Sequence, residues 1–163
     1  MRYNFEMPGQ TRQRSRAIRQ VDYRTLGELR YHIRRFLRLR EEAARRAGVE
    51  PQQYLVLLQV KGLTAGRPPT IGALADRMQL RHHSVVELID RLEKQGMVDR
   101  RREGPDRREV FVALRPMGEA VLRRLALYSL RELRTEGPAL MSALNRLIGP
   151  RARAGRRRRN AAR

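Results

Sequence analysis

The fold of this chain is decided by residues 70–114, which read TIGALADRMQLRHHSVVELIDRLEKQGMVDRRREGPDRREVFVAL. Thr70 is a helix-capping residue type, and a short helix is predicted directly after it. A turn follows at residues 79–81, and a second helix is predicted from about His82 to Gln95, where Gly96 ends it. The apolar faces of the two helices are Ile71, Leu74, Ala75 and Met78, and Val85, Leu88, Ile89 and Leu92. Two short helices joined by a tight turn, each with one apolar face, are typical of a helix-turn-helix.

Two short strands are predicted after the second helix. Residues 98–102 and 108–114 carry the strand pattern, and the EGPDR stretch at 103–107 supplies hairpin turn residues. Five arginines fall within nine residues of this hairpin: Arg100, Arg101, Arg102, Arg107 and Arg108. The alternative to a hairpin that contacts a partner is a solvated arginine-rich hairpin that contacts nothing. The predicted fold class is mainly α with a small β-hairpin wing.

Helices are also predicted on the N-terminal side of this unit. Leucine, isoleucine and phenylalanine recur at helical spacing from Asp22, the predicted N-cap, to about Ala47, and Gly48 stops the helix. Pro51 opens a second helix over Gln52–Gly62, which is apolar on nearly all sides and is predicted to be central and buried. A helix of some 25 residues is long for a small domain and favours an element shared with a partner.

On the C-terminal side, Pro116 opens a helix predicted to run to about Thr135. The Gly137-Pro138 pair predicts a break, and a last helix is expected to end at Gly149-Pro150. The resulting organisation is a disordered basic arm (1–20), a winged-helix domain (21–150) and a disordered arginine-rich tail (151–163). Within the domain, 21–62 and 116–149 are predicted dimerisation helices, and 70–114 is the predicted DNA-binding lobe.

The charge of the chain favours a polyanionic partner. Its 163 residues carry 37 basic and 17 acidic side chains, a net charge of +20. The two tails contribute +11, and residues 21–150 still carry +9. Such a body should attract nucleic acid first and an anionic membrane second. The alternative is that the basic tails only keep the protein soluble.

Several classes of protein are excluded by what the sequence lacks. Without cysteine there are no disulfides and no thiolate metal sites. No apolar run approaches the roughly 18 residues of a membrane span, which favours a cytoplasmic protein without a membrane partner. The sequence has no glycine-rich phosphate loop, H-E-x-x-H motif or nucleophile elbow, so neither an enzyme nor a cofactor is predicted. His82 and His83 are adjacent and His32 is distant, so no metal site is expected either.

The second helix of a helix-turn-helix can enter the major groove of DNA and offer side chains near its N-terminus to base edges. The predicted contacts to DNA from this unit are Thr70, Arg81, His82, His83, Ser84, Glu87, Arg91 and Lys94. Arg91 and Lys94 are better placed for phosphates. The histidine pair would gain charge at lower pH. Glu87 is either an acceptor for the N4 amino group of cytosine or a group that repels phosphate.

The wing is predicted to contact DNA through Arg102, Asp106, Arg107 and Arg108. An arginine at the tip can enter a narrow minor groove, where the negative potential is enhanced. Asp106 can hold the guanidinium of Arg108 through a charge-assisted hydrogen bond, which orders the tip.

A small-molecule pocket is a further candidate site. His32 and Phe36 share one helix face, and with Arg35 and Tyr54 they are candidates to line an effector pocket between the dimer helices and the DNA-binding lobe. The alternative is that Phe36 and Tyr54 belong to the core and that His32 is a satisfied polar group.

Residues from about Arg30 to Leu133 resemble the MarR family of transcriptional regulators. The resemblance is carried, in this order and spacing, by TIGALA at 70–75, LIDRLEKQGMV at 88–98 and GPDRR through LRPMG between 104 and 118. It implies a homodimer held by the terminal helices, a pseudo-palindromic DNA operator, and release by a small aromatic or phenolic ligand. Asp106 and Arg108 match the Asp–Arg pair of the family's wing, and Ser84 matches a polar DNA-facing position.

The chain departs from the family pattern at three places. Arg81-His82-His83 stands where members often have small polar residues and proline, and Glu87 stands where an arginine commonly reads the groove. Arg115 replaces the usual threonine before the fifth helix, so that helix cap is lost. The base preference therefore does not carry over from the family.

The leading hypothesis is a homodimeric, sequence-specific DNA-binding transcriptional regulator, a repressor relieved by a small aromatic or phenolic ligand. The alternative is a constitutive, non-specific nucleic-acid-binding protein associated with the nucleoid or with RNA. A membrane-surface or interaction protein would explain the charge but not the order of helices and hairpin.

Overall fold

The computed structural model describes residues 18–63, 68–102 and 110–148. In chain order its elements are α1 (Gln20–Arg46), α2 (Pro51–Leu63), α3 (Ile71–Met78), α4 (His82–Lys94), β1 (Val98–Arg101), β2 (Phe111–Leu114) and α5 (Pro116–Ile148). The predicted fold class, mainly α with one hairpin, is confirmed. The predicted arm, except its last three residues, and the predicted tail lie outside the described residues.

α1 begins three residues earlier than predicted. Its N-cap is Arg19, and Asp22, predicted as the cap, is the third residue of the helix. The Asp22 carboxylate accepts a hydrogen bond from the backbone N–H of Arg19 at 3.0 Å. An acidic side chain at this position reaches back to the cap residue, as in a capping box, and satisfies a backbone donor that the helix leaves without a partner. At the other end Gly48 adopts φ +80°, as the predicted stop requires.

α2 lies at the centre of the molecule and contacts α1, α3, α4, α5 and β2. Tyr54, Leu57 and Val60 are buried, which agrees with the prediction of a central helix. Leu55 and Leu58, however, are exposed, so the apolar surface of α2 is larger than one chain covers.

α5 is one continuous helix of 33 residues, which corrects the predicted break at Gly137-Pro138. Proline inside a helix removes one backbone hydrogen bond and is unfavourable by about 3 kcal/mol. The helix nevertheless continues because both of its halves pack along α1. Side chains connect the two helices on either side of Pro138: Arg35 with Glu136 at 3.0 Å, and Arg146 with Glu28.

The two strands form an antiparallel hairpin in which Val98 is opposite Leu114 and Arg101 is opposite Phe111. The strands are shorter than predicted: β1 ends at Arg101, and Val110 precedes the first paired residue of β2. The backbone before α3 also binds to β2, since the N–H of Val112 donates to the carbonyl of Pro69 at 3.0 Å. This bond fixes the start of the helix-turn-helix to the hairpin.

The start of α5 packs closely on the junction between α4 and β1. A Cβ placed on Gly118 would lie 2.1 Å from the carbonyl oxygen of Met97, so only glycine fits at this position. The same carbonyl accepts a hydrogen bond from the N–H of Arg115 at 2.9 Å. The long helix is therefore in direct backbone contact with the helix-turn-helix unit.

Candidate nucleic-acid interface

Helix α3 is held at its first turn by Thr70. The Thr70 hydroxyl accepts a hydrogen bond from the N–H of Ala73 at 3.1 Å, which confirms the predicted cap. Leu74 is fully buried below it. In the turn that follows, Gln79 adopts a left-handed conformation with φ 55°, and the half-buried Leu80 packs against the core. The hydroxyl of Thr70, a predicted DNA contact, is thus already engaged by the helix.

Helix α4 has one buried side and one exposed side. Val85, Ile89 and Leu92 are fully buried. Successive residues of a helix are about 100° apart, so the opposite side is formed by His83, Glu87 and Lys94. We call these three residues the outward ridge. All three are exposed, as are Arg81, His82 and Arg91, whereas Ser84 is half-buried at the edge of the ridge. The predicted contacts of this helix therefore lie on or beside its solvent side.

Beside the ridge lies a cleft of about 220 Å³ between α4 and the start of α2. Its lining combines apolar and polar side chains: Gln52, Leu80, Ser84, Glu87, Leu88 and Arg91. Glu87 and Arg91, one turn apart, approach to 3.9 Å and are both well exposed. At this distance and exposure the ion pair contributes little to stability.

The base of the wing is fixed to α4 by Arg100. Its guanidinium binds the carboxylate of Asp90 at 2.5 Å and that of Glu93 at 2.5 Å, and the Glu93 side chain also accepts from the backbone N–H of Arg100 at 3.2 Å. Burial acts to lower the pKa of Arg100, but the hydrogen bonds and charges of Asp90 and Glu93 outweigh it and raise the pKa. We call these three residues the Arg100 clamp.

The clamp was not recognised from the sequence, where Arg100 counted only among the arginines of the wing. The signal was present in two patterns. Arg100 lies two residues after the buried Val98 and so faces the same side of the strand, towards α4. Asp90 and Glu93 are three residues apart and share one face of that helix.

The structure describes the wing only at its base. Arg101 and Arg102 are exposed where the first strand ends. Asp106, Arg107 and Arg108, three predicted DNA contacts, lie outside the described residues. Arg115, which stands in place of the expected cap of α5, approaches Asp99 at 3.6 Å.

The four candidate ligand residues are distributed over two places. Phe36 and the buried Tyr54 lie near each other, whereas Arg35 is exposed and binds Glu136 at 3.0 Å and the hydroxyl of Tyr31 at 3.4 Å. His32 is half-buried with its ring against Tyr31. Its Nδ1 atom is buried and has no hydrogen-bond partner among the described residues.

Arg40 connects Phe36 with Tyr54 and was not predicted as a site residue. Its guanidinium lies 3.0 Å from the centroid of the Phe36 ring and donates to the carbonyl oxygens of Phe36 at 2.6 Å and Ser129 at 3.0 Å. The hydroxyls of Tyr54 and Ser129 are 3.4 Å apart. Burial lowers the pKa of Arg40, although Glu132 and the two neighbouring tyrosines oppose this effect. Its Nε atom has no hydrogen-bond partner within the described ranges.

Metal-binding clusters and membrane-spanning helices are both missing from residues 18–63, 68–102 and 110–148. These residues contain no group of three or more His, Asp or Glu side chains arranged to hold a metal ion. None of the helices in the same ranges combines the length and the apolar character needed to cross a membrane.

Comparison with known proteins finds a family match over part of the chain. Residues 47–109 match the model of the MarR family. An uncharacterized HTH-type transcriptional regulator, YsmB of Bacillus subtilis (strain 168), is 38% identical over 56 residues, which is 34% of this chain and 38% of that protein. The match therefore spans little more than a third of the length of that relative.

Solved structures share the fold at low sequence identity. AbsC, a MarR family transcriptional regulator from Streptomyces coelicolor, is 18% identical with a TM-score of 0.66, and the match covers 83% of this chain and 95% of that one. A variant of S. aureus MepR bound to an oligodeoxyribonucleotide is 15% identical with a TM-score of 0.58, and the match covers 77% and 95% of the two chains.

The family match covers the helix-turn-helix and the first strand of the wing, and the likeness to solved structures extends to the long flanking helices. Members of the family are transcription regulators, not enzymes. Residues 47–109 are thus similar to the MarR family, and the fold of the described residues is the winged helix-turn-helix fold of solved MarR family regulators.

Proposed function

We propose that the protein is a homodimeric, sequence-specific DNA-binding repressor that acts in the cytoplasm on a pseudo-palindromic operator and is released by a small aromatic or phenolic ligand. The observation that carries the proposal is the geometry of α4. Its outward ridge and the flanking Arg91 project to solvent, Ser84 is half-buried at the edge of the ridge, and the Arg100 clamp fixes the base of the adjoining wing. A helix of this kind fits the major groove, and a wing beside it reaches the neighbouring minor groove.

Charge supports double-stranded DNA as the partner. The ridge is flanked by Arg81, Arg91 and the arginines of the wing, and the chain carries a net charge of +20. Arginine and lysine near phosphates release counterions, which supplies much of the affinity for a duplex. The MepR variant, a protein of the same fold, is bound to an oligodeoxyribonucleotide in its solved structure.

The exposed apolar surface supports a dimer. Large apolar side chains are open to solvent along both long helices, among them Leu26, Ile33 and Leu37 of α1 and Leu130 and Met141 of α5. Leu26, Ile33 and Leu37 follow one another at helical spacing and form a single stripe. A second copy of the chain would bury these surfaces and bring two recognition helices to the two halves of a palindrome.

The cluster around Arg40 supports an effector. A buried guanidinium that stacks on Phe36 has one N–H without a partner among the described residues, and the nearby tyrosine hydroxyl is weakly engaged. A phenol or an aromatic carboxylate can accept from the guanidinium and stack on the aromatic rings. His32 and Arg35, on the same helix, are proposed to extend this site.

The sequence specificity of DNA binding tests the proposal against its alternative. Bound fragments are selected from genomic DNA, and the affinity of the full chain for the selected palindrome is compared with that for a random duplex at one salt concentration. A preference of at least about 10³ is expected for a sequence-specific repressor. A ratio near one would instead favour a constitutive nucleic-acid-binding protein, which the high net charge also permits.

The effector is tested separately with benzoate and phenol as probes. Each probe is added to the complex of the protein with its selected DNA, and the release of DNA and the melting temperature are followed. Release is expected for the native chain and a weaker response for Tyr54→Phe, whose DNA affinity without the probe stays unchanged. An unchanged DNA affinity in the presence of both probes, at concentrations up to their solubility, contradicts release by this class of ligand.

A further inference from the structure

The acidic residues of α4 differ in what they bind. The helix carries three carboxylates, Glu87, Asp90 and Glu93. Asp90 and Glu93 are both engaged by Arg100 at 2.5 Å. Glu87 approaches only Arg91, at 3.9 Å, and 65% of its side chain is exposed. Two of the three carboxylates thus serve the wing, whereas Glu87 is directed to solvent.

Glu87 lies on the side of α4 that is farthest from the core. It is two residues before the fully buried Ile89, and this spacing separates two side chains by about 200° around a helix. His83 lies one turn before Glu87 and Lys94 two turns after it, so Glu87 lies inside the outward ridge. A helix that inserts this ridge into a groove brings Glu87 towards the floor, while the phosphates run along the rims of the groove.

We infer that Glu87 is a specificity-determining residue and that its carboxylate accepts a hydrogen bond from the N4 amino group of a cytosine in each half of the operator. The inference rests on the proposed function, because it requires that α4 lies in the major groove of DNA.

The chemistry of the base edges selects cytosine. A carboxylate only accepts hydrogen bonds. In the major groove guanine presents two acceptors and thymine presents an acceptor and a methyl group, so both repel or exclude it. Adenine offers an amino donor next to the N7 acceptor, which faces the second carboxylate oxygen unfavourably. Cytosine offers its amino donor with no acceptor on its own major-groove edge, and the nearest acceptor is O6 of the paired guanine.

The surrounding cations reduce the repulsion between the Glu87 carboxylate and the DNA phosphates. Arg91 is at 3.9 Å from the carboxylate, and Lys94 flanks it on the same side of the helix. These cations keep the potential around Glu87 favourable for a polyanion while the carboxylate itself faces a donor.

The test is a selection from duplexes with randomised half-sites, using the full-length native chain, Glu87→Gln and Glu87→Ala. The native chain is expected to favour cytosine at one position of each half-site by about tenfold, within the discrimination of a base contact. Glutamine pairs with the N6 and N7 atoms of adenine, so Glu87→Gln should shift that position to adenine. Glu87→Ala should lose the preference there and keep it at the other positions.

Glu41→Gln is the matched control, because it removes the same charge from an exposed glutamate of α1 and should leave every position unchanged. The inference is overturned if both Glu87 variants select the same sequence as the native chain, or if they only bind all sequences more tightly. In those outcomes the proposed function stands. If the native chain selects no sequence at all, the inference and the proposed function both fail.

Discussion

The lobe of residues 70–114 and the long helices α1 and α5 differ in how far their apolar side chains are buried. None of the large apolar residues described in 68–102 and 110–114 is exposed, and Leu74, Val85, Ile89, Leu92 and Val98 have no measurable exposure. By contrast, Leu37 of α1 is 51% exposed and Leu130 of α5 is 55% exposed. The described part of the lobe buries its large apolar side chains within one chain, whereas the long helices leave apolar surface exposed, which is the surface that the proposed dimer would cover.

The polar contacts follow the same division. The lobe contains the compact Arg100 clamp, whose arginine side chain is only 25% exposed. The helices are joined by exposed pairs such as Arg35 with Glu136, which contribute little each, and by the buried Arg40. This difference agrees with the proposed function, in which the lobe binds DNA and the long helices form the dimer.

The largest expected effect is the loss of the dimer. Leu37→Asp and Leu130→Asp together place charges on the exposed apolar faces of both long helices, where they interfere with a partner but not with the fold of one chain. The sedimentation velocity of the variant should correspond to a monomer. Operator affinity should fall by at least about 10³-fold, or about 4 kcal/mol, because one half-site then binds alone.

Gly72→Asp serves as the control for this variant. Gly72 is exposed in α3, and nothing lies within 4 Å of a Cβ placed on it, so the substitution adds charge outside the long helices. It should leave the oligomeric state unchanged. A double variant that still sediments as a dimer would show that the exposed faces of α1 and α5 are not the interface.

The next largest effect is a loss of stability, which should differ between the buried core of the lobe and the exposed apolar surface of the long helices. Leu74→Ala leaves a cavity in the lobe and should destabilise the fold by about 3 kcal/mol at every protein concentration. Leu130→Ala should lower the melting temperature only at concentrations where the dimer is populated. Calorimetry over a hundredfold range of concentration checks both, and equal concentration dependence for the two variants would contradict this contrast between lobe and helices.

A smaller effect is expected when the Arg100 clamp is removed. Arg100→Ala leaves two carboxylates on α4 without their counter-charge and loosens the base of the wing. Both carboxylates keep substantial exposure, so we expect a loss of only about 1 kcal/mol in stability and about tenfold in operator affinity. Arg115→Ala is the matched control, since its ion pair with Asp99 is longer and more exposed. Equal losses of affinity in the two variants would mean that arginine charge, rather than the clamp, is responsible.

The smallest effect concerns the cap of α3. Thr70→Ala removes the acceptor for the N–H of Ala73 and should lower stability by about 1 kcal/mol, whereas Thr70→Ser should retain most of it. Denaturation by urea measures the difference. If Thr70→Ala lowers operator affinity far more than stability, while Thr70→Ser retains the affinity, then the Thr70 hydroxyl has the direct role at DNA that the sequence predicts.

The elements whose signals are local were predictable. Gly48 and Gly96 mark helix ends through a positive φ, and Thr70 marks a helix start through its capping hydroxyl. The spacing of Val85, Ile89 and Leu92 identifies the buried side of α4. The outward side of that helix followed directly, so the candidate contacts His83, Glu87 and Lys94 were identified with the correct orientation.

The features that depend on distant parts of the chain were not predictable. The Gly137-Pro138 pair indicates a break by every local rule, but packing along α1 maintains the helix. Arg100 resembled its neighbouring arginines, because its two carboxylate partners lie on another element. Arg40 falls at the edge of a helical stripe, where arginine is usually solvated, yet it is buried between α1 and α5. In each case the deciding interaction joins residues that only the tertiary fold brings together.

The contact between Gly118 and the carbonyl of Met97 couples the position of α5 to the end of α4. A helix of 33 residues is about 50 Å long, so a rotation of roughly 5° about its far end moves its start by about 4 Å. This displacement is close to the rise of about 3.4 Å per base along one DNA strand. Because Gly118 lies directly against the backbone of Met97, such a displacement would move the end of α4 with it. In a dimer, the angle at which the long helices cross would therefore set the number of base pairs between the two half-sites.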